Sequence, residues 1–366
     1  MTDPRLQKLA KVLVHYSLRI KPGDVLRLRG ETSAAPLFKE VYREAVRAGA
    51  HVLTRFTIEE LTEVFYQEAN EEQLKFLPDL VKQEIEFITA DLFIEAENNT
   101  KALSGVDPKK IAVNRASRSE LSRRFYERFA NGELRWCLTK LPTNAYAQDA
   151  GMSLSDYEDF VYNAMKLNED DPAAAWEKQR VEQQKFVDYL DKRREIHIIA
   201  PGTDITYRTD GRTWVNCYGD ANFPDGEVFT SPIEDSVNGF VTFSYPAVYS
   251  GNEVEGVRLT FKDGKVVESH AERGLEFLNG MLDMDAGSRF LGEAAFGTNY
   301  SIQHFSRDIL FDEKIGGTMH MALGAGFPEC GGKNESGLHW DMVCDLRQGQ
   351  VFADGQLCYE NGQFII

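Results

Sequence analysis

His320, His339 and Asp341 lie among glycines in HMALGAGFPECGGKNESGLHWDMVCDLR, within the last fifty residues. Alternation along a strand sends residues two apart to one face, so His339 and Asp341 point together while Trp340 packs behind them. Two imidazoles and a carboxylate are ligand types for a divalent ion, and glycine lets backbone approach a ligand closely. An H-x-D pair also arises by chance, so further ligands are needed. Glu255 in GNEVEGVRLTFKDGKVV and Glu293 in RFLGEAAFGTN are the candidates, although either alone reads equally well as a solvated carboxylate at a strand end. A glutamate facing an interior costs several kcal/mol unless it is paired, hydrogen-bonded or bound to a cation. Convergence of both on the two histidines and Asp341 would therefore imply metal.

Other motifs are weaker. No H-E-x-x-H helix is present, which excludes the zincin arrangement. In GAGFPECGG the last glycine of a G-x-G-x-x-G pattern is replaced by Glu329, and CGGKNES lacks the spacing of a phosphate-binding loop. His15, His51, His197, His270 and His304 lie in segments where packing or surface exposure accounts for them. Cys137, Cys217, Cys330, Cys344 and Cys358 are widely spaced, with no C-x-x-C pair, which fits reduced thiols better than a disulfide framework or a thiolate zinc site.

The elements that must position these residues fall into two textures. DVLRLRG (24–30), SAAPLFKEVYREAVRAG (33–49) and HVLTRFT (51–57) read as strand, helix and strand, a βαβ unit. The helix EEQLKFLPDLVKQ, the strand EIEFITAD, the helix SRSELSRRFYERFANG, the strand LRWCLTKLP and two helices across 153–192 continue that alternation, so an α/β layered domain is expected over 1–192. After Arg194 alternating residues broken by Gly, Asp and Asn run to Ile366, with one helix near 271–283. This predicts a mostly β, α+β, metal-binding domain over 193–366.

With 366 residues, two domains are the default expectation. Hydrophobic residues at 42% and charged residues at 27% are ordinary for a globular protein, and no apolar run approaches the roughly 20 residues of a membrane span. The N-terminal MTDPRLQKLAKVLVHYSLRIKPGD is charged throughout and lacks the features of a signal peptide, so a cytoplasmic location is expected. The net charge of −17 repels phosphate backbones, which argues against nucleic acid and leaves open a cationic substrate such as a peptide with a free α-ammonium.

GNEVEGVRLTFKDGKVV, LGEAAFGTN, HMALGAGFPECGGKNESGLHWDMVCDLR and DGEVFTSP, in this domain order, resemble the metalloaminopeptidase family of the aminopeptidase T, aminopeptidase S and thermophilic leucyl aminopeptidase type. The resemblance spans the whole chain and is strongest in these C-terminal motifs. It implies that Glu255, Glu293, His320, His339 and Asp341 hold a pair of divalent ions, and three carboxylates with two imidazoles suit Zn, Co or Mn. It further implies release of N-terminal residues from peptides with a free amine, and a homodimer whose sites face an enclosed interior. NFPDGEVFTSP would lie near the cleft, with Glu227 either supporting the site or simply ending a turn; Lys333, Asn334 and Glu335 line its mouth or belong to a solvated loop. Phe327 stands where family members commonly carry a Tyr. Two rival readings are another two-metal hydrolase of the phosphoesterase type and a non-catalytic peptide-binding relative; the first would need a cationic phosphate cradle, and only Lys333 and Arg347 lie near the ligands in the sequence.

Overall fold

Strand Val25–Glu31, helix Ala35–Arg47 and strand His51–Thr57 form the expected βαβ unit in the computed structural model, which describes residues 3–366. In the helix Leu37, Phe38, Val41 and Ala45 recur every three to four residues and are buried, and Pro36 sits in the first turn, where its missing N–H is no loss. The two strands pair in parallel; Ala90–Glu95, Arg135–Lys140 and the short Asn222–Phe223 extend the sheet to five parallel strands. Parallel pairing requires long crossovers, and helices supply most of them. At the centre Asp91 is wholly buried, and Arg27 Nε at 2.5 Å and Arg29 Nε at 2.9 Å neutralise it.

Two sequence expectations shift here. EEQLKFLPDLVKQ is broken into helices Glu71–Lys75 and Asp79–Phe87, because Pro78 disfavours helical backbone in the residue before it. The strand expected over EIEFITAD begins only at Ala90; residues 84–87 complete a helix that buries Ile85.

The chain divides into two compact units, one reaching Ala173 and including Gly219–Pro224, the other comprising Ala174–Tyr218 and Asp225–Ile366. The sequence reading puts one boundary near residue 192, whereas most of helix Pro172–Leu190 packs with the second unit. Val187 and Leu190 enter that unit's apolar core beside Ile196 and Tyr207, Phe186 stacks on Phe364 at 4.2 Å, and Gln183 Nε2 donates to the carbonyls of Cys217 and Glu227.

The second unit is mostly β, as expected. An eight-stranded sheet runs from Lys265–His270 at one edge to Gln363–Phe364 at the other. A second sheet, antiparallel throughout, has the order His339–Asp345, Thr318–Gly324, Leu291–Gly297, Glu227–Thr230 and Val215–Cys217. One face of this sheet carries Phe296, Met319, Met321, Leu323, Trp340 and Met342 into the core. Strands Leu291–Gly297 and Thr318–Gly324 are buried at every position, so whatever the opposite face carries is also shielded from water.

Candidate metal centre

The sheet register brings the polar residues together. Asp341 pairs with Ala322, which on its other side pairs with Glu293; His320 pairs with Ala295, which in turn pairs with Phe229. His339 lies two residues from Asp341, and Glu227 two from Phe229. Period-two alternation therefore places Glu227, Glu293, His320, His339 and Asp341 on the face opposite the core, with the small Ala295 and Ala322 between them. A bulge between Leu291 and Glu293 sets the register of Glu293, and Gly292 lies within it.

His339 Nε2 lies 3.2 Å from Glu293 Oε2 and 3.6 Å from Asp341 Oδ1, while His320 Nε2 lies 3.5 Å from both Glu293 Oε1 and Glu227 Oε2. Each imidazole donates its other nitrogen to a backbone carbonyl: His320 Nδ1 to Glu313 at 3.0 Å, His339 Nδ1 to Ala325 at 3.0 Å. A carbonyl only accepts, so both Nδ1 atoms carry the proton and both Nε2 atoms are aimed into the cluster. His320, Glu293 and Glu227 are all but inaccessible, whereas the His339 side chain is 32% exposed, so the cluster is closed at one end and open at the other.

Glu227 Oε2, His320 Nε2 and Asp341 Oδ1 are buried without a hydrogen-bond partner. Three such orphans in one cluster would be a heavy penalty for a protein that held nothing there. Donors about 2.1 Å from one tetrahedral ion lie about 3.4 Å apart. The observed spacings of 3.2 to 3.6 Å match that edge, and the three of 3.5 to 3.6 Å exceed good hydrogen bonds. The donor set therefore fits divalent ions, and mixed oxygen and nitrogen donors with an open flank suit an exchangeable centre.

Without an ion the charges compete. Burial opposes the charge on Glu293, but the two imidazoles outweigh it and bring its carboxyl down to about 2. Burial likewise disfavours a charged His320, yet Glu293, Glu227 and Asp341 together raise it to about 10; His339 is raised to about 10 chiefly by Asp341 and Glu293 against the same burial. Burial raises Asp341 to about 6, offset in part by His339, and pushes Glu227 well above the ordinary carboxylate range despite Lys314.

Glu255 does not join this centre. Its backbone pairs with Arg273, and its carboxylate accepts from Arg273 Nη1 at 2.6 Å. The carboxylate at that corner of the cluster is Glu227, and Glu313 also lies within reach of His320 and Asp341. A sequence signal for Glu227 existed: EVFT follows a Pro-Asp-Gly turn and is hydrophobic enough to be buried throughout, as it is, whereas Glu255 sits in a charged, solvent-facing hairpin region. Phe327, the Tyr replacement, packs edge-on against Phe229 and His339 with ring centroids 5.0 and 5.1 Å apart. Asn334 braces the loop by donating to the carbonyls of Gly287 and Gly324, and Lys333 is tied through its N–H to Glu234. All five cysteines are free thiols; Cys217 approaches Asp225 and Glu227 at the edge of the cluster. His15 and His197 are paired with Glu44 and Asp204, away from the cluster.

A sheet face that gathers carboxylates and imidazoles, buried at His320 and open at His339, has the donor set of a metal-binding protein. The chain matches the family described as thermophilic metalloprotease (M29) over residues 2–364. It belongs to that family and is a metalloprotease, a hydrolase of peptide bonds. It is 32% identical to Aminopeptidase 2 of Geobacillus stearothermophilus, with 97% of this chain and 95% of that one covered. It is 27% identical to Aminopeptidase T of Thermus thermophilus, with 98% and 95% covered. Its fold matches the solved structure of wild-type AmpT from Thermus thermophilus with a TM-score of 0.87 at 25% identity, covering 99% of each chain. The mixed α/β architecture is thus that of the family.

Proposed function

We propose that this metalloprotease is an aminopeptidase that releases N-terminal residues from short peptides, using two divalent ions, Zn, Co or Mn, held by Glu227, Glu293, His320, His339 and Asp341 with Glu313 in reach. The observation that carries the metal reading is the convergence of three buried, partnerless donor atoms, Glu227 Oε2, His320 Nε2 and Asp341 Oδ1. The aminopeptidase reading is carried to this chain by the names of its relatives.

Bound ions would supply Lewis acidity, polarising the scissile carbonyl and acidifying water. The chain's own residues do the rest. Glu313 and Ala325 carbonyls fix both imidazoles so that Nε2 faces inward. Met319, Met321, Trp340 and Met342 seal the opposite face of the sheet against water. The open flank at His339 admits substrate, and the phenyl rings of Phe327 and Phe229 give that flank an apolar wall suited to a hydrophobic side chain. The acidic cluster and the net charge of −17 favour approach of a free α-ammonium.

Protein stripped with a chelator and reloaded with Zn, Co or Mn one at a time is expected to hydrolyse leucyl p-nitroanilide but not its N-acetyl derivative. Ion binding without release of either anilide would sink the aminopeptidase reading. The same proposal includes a cytoplasmic homodimer enclosing its sites; a monomer by light scattering at assay concentration would count against the enclosure.

A further inference from the structure

We propose that Lys314 is a positioning residue of the metal centre, a fixed cation whose ammonium holds the Glu227 and Glu313 carboxylates from behind. The inference rests on the metal reading above and assigns a role to a residue outside the ligand set. Lys314 has no exposed surface, which is rare for a lysine and demands partners. Its Nζ touches Glu313 Oε1 and lies 3.7 Å from Glu227 Oε1. The other oxygen of Glu227, Oε2, is 3.5 Å from His320 Nε2. One carboxylate thus spans from the lysine to the imidazole, with the ammonium on the side away from the histidine. Glu313 has the same double attachment: its side chain meets Lys314, and its carbonyl accepts from His320 Nδ1 at 3.0 Å.

Backbone hydrogen bonds hold the root of this side chain, and burial leaves its ammonium facing the two carboxylates. Lys314 N–H donates to the Phe311 carbonyl at 3.1 Å, and the Lys314 carbonyl accepts from Asn299 N–H at 3.0 Å. Charge balance gives a reason for it. Glu227, Glu293, Glu313, Asp341 and Asp225 place five carboxylates in the linked donor groups. Two divalent ions with neutral imidazoles match four of those charges, and Lys314 matches the fifth. Cys217, Asp225 and Glu227 by themselves have spacing that would suit another ion; Lys314, paired with Glu227 and attracted by Asp225, already supplies the positive charge there. Without it, like charges packed at this distance in a dry site would repel, and Glu227 would turn from the position that faces His320.

The test is Co2+ binding, read by competition with a chromophoric chelator and by the d–d absorption of the bound ion, in the full chain. Lys314→Met keeps length and apolar stem while removing charge; it is expected to stay folded by circular dichroism and to bind Co2+ about 10- to 100-fold more weakly, the usual loss when a group supporting a ligand is removed. Lys314→Ala opens space for a small cation, so methylammonium chloride should restore binding and the parental spectrum, while sodium chloride at equal ionic strength should not. Co2+ affinity in Lys314→Met equal to or tighter than that of the parent would overturn the proposal, since the ammonium would then give the centre no support. Weakened binding in Lys314→Ala that methylammonium fails to restore would overturn it too, because the role would be packing. A parent chain that binds no Co2+ would refute the metal reading itself, and this inference with it, an outcome distinct from the other two.

Discussion

Glu227 and Glu255 are carboxylates of the same type, 28 positions apart, with opposite surroundings. Glu227 is buried with an orphaned oxygen against His320, and Glu255 is ion-paired with Arg273 at partial exposure. Glu227→Gln, nearly isosteric but neutral, is expected to weaken metal binding by at least about 10- to 100-fold, the loss typical even of groups one step removed from an ion, and to lower peptidase activity with it. Glu255→Gln removes only a partly exposed ion pair, so metal content and turnover should stay near the parent's, with stability changed by less than about 1 kcal/mol. Metal analysis and anilide turnover on both variants decide the matter; equal losses in the two would show that the site had been misassigned. Phe327 belongs to the same scale. It can pack against His339 but has no hydroxyl to donate, so Phe327→Tyr should leave metal binding intact, and any gain in turnover would locate a task this chain performs without a phenol.

At the scale of elements, the site depends on a sheet face whose middle positions are small and on a bulge that sets Glu293. A Cβ added at Gly292 would meet the Ala325 carbonyl oxygen at 2.0 Å and that of Gly324 at 2.5 Å. Gly292→Ala should therefore push strand Leu291–Gly297 away from the loop after Gly324, costing about 1–3 kcal/mol in thermal unfolding, and should weaken metal binding as Glu293 moves. A variant as stable as the parent would mean the bulge yields without strain. In the parallel sheet, Glu97 follows strand Ala90–Glu95; burial raises its carboxyl to about 7, Lys140 opposes, and Glu95, Glu31 and Glu59 add to the rise. A folded-state value above the unfolded one near 4.5 means that the folded chain holds the proton more tightly. Stability on this account is undiminished below about pH 4.5, falls as pH climbs to about 7, and stays reduced above it. Glu97→Gln should raise the unfolding temperature at pH 8 and do little at pH 4.5; the same increment at both would rule out ionisation as its cause.

At the scale of the whole molecule, the parallel sheet belongs to the first unit, and the proposed ions touch only the five-stranded antiparallel sheet of the second. Ions that bind the folded state alone stabilise it by about 2.7 kcal/mol at 100 times their dissociation constant. Adding Co2+ to chelated protein should therefore slow hydrogen exchange in strands Glu227–Thr230, Leu291–Gly297, Thr318–Gly324 and His339–Asp345, and leave Val25–Glu31 and Ala90–Glu95 of the parallel sheet unchanged. Slowing spread evenly over both sheets would argue against a centre confined to the second unit. Among the described residues no helix is long and apolar enough to cross a membrane.

Local pattern was sufficient for much of this. The βαβ run at 24–57, the change of texture after Arg194 and the pairing of His339 with Asp341 on one strand face are short-range consequences of helix and strand periodicity, and each is present in the fold. Pro78 also announced a helix break that a continuous reading of EEQLKFLPDLVKQ overlooked. The long helix Pro172–Leu190 could not be assigned to a unit from its own residues, because its buried face of Gln183, Val187 and Leu190 is neutral as to partner until Cys217, Glu227 and Ile196 are placed beside it. The choice of Glu227 over Glu255 was likewise a tertiary matter. Which carboxylate meets His320 depends on strand Glu227–Thr230 pairing with Leu291–Gly297, more than sixty residues away, and on Arg273 satisfying Glu255 elsewhere. Sequence alone determined the kinds of donor and the strands of His320, His339 and Asp341; only the sheet register, fixed by which faces could be buried together, decided that Glu227 and not Glu255 shares their face and that Lys314 stands behind it.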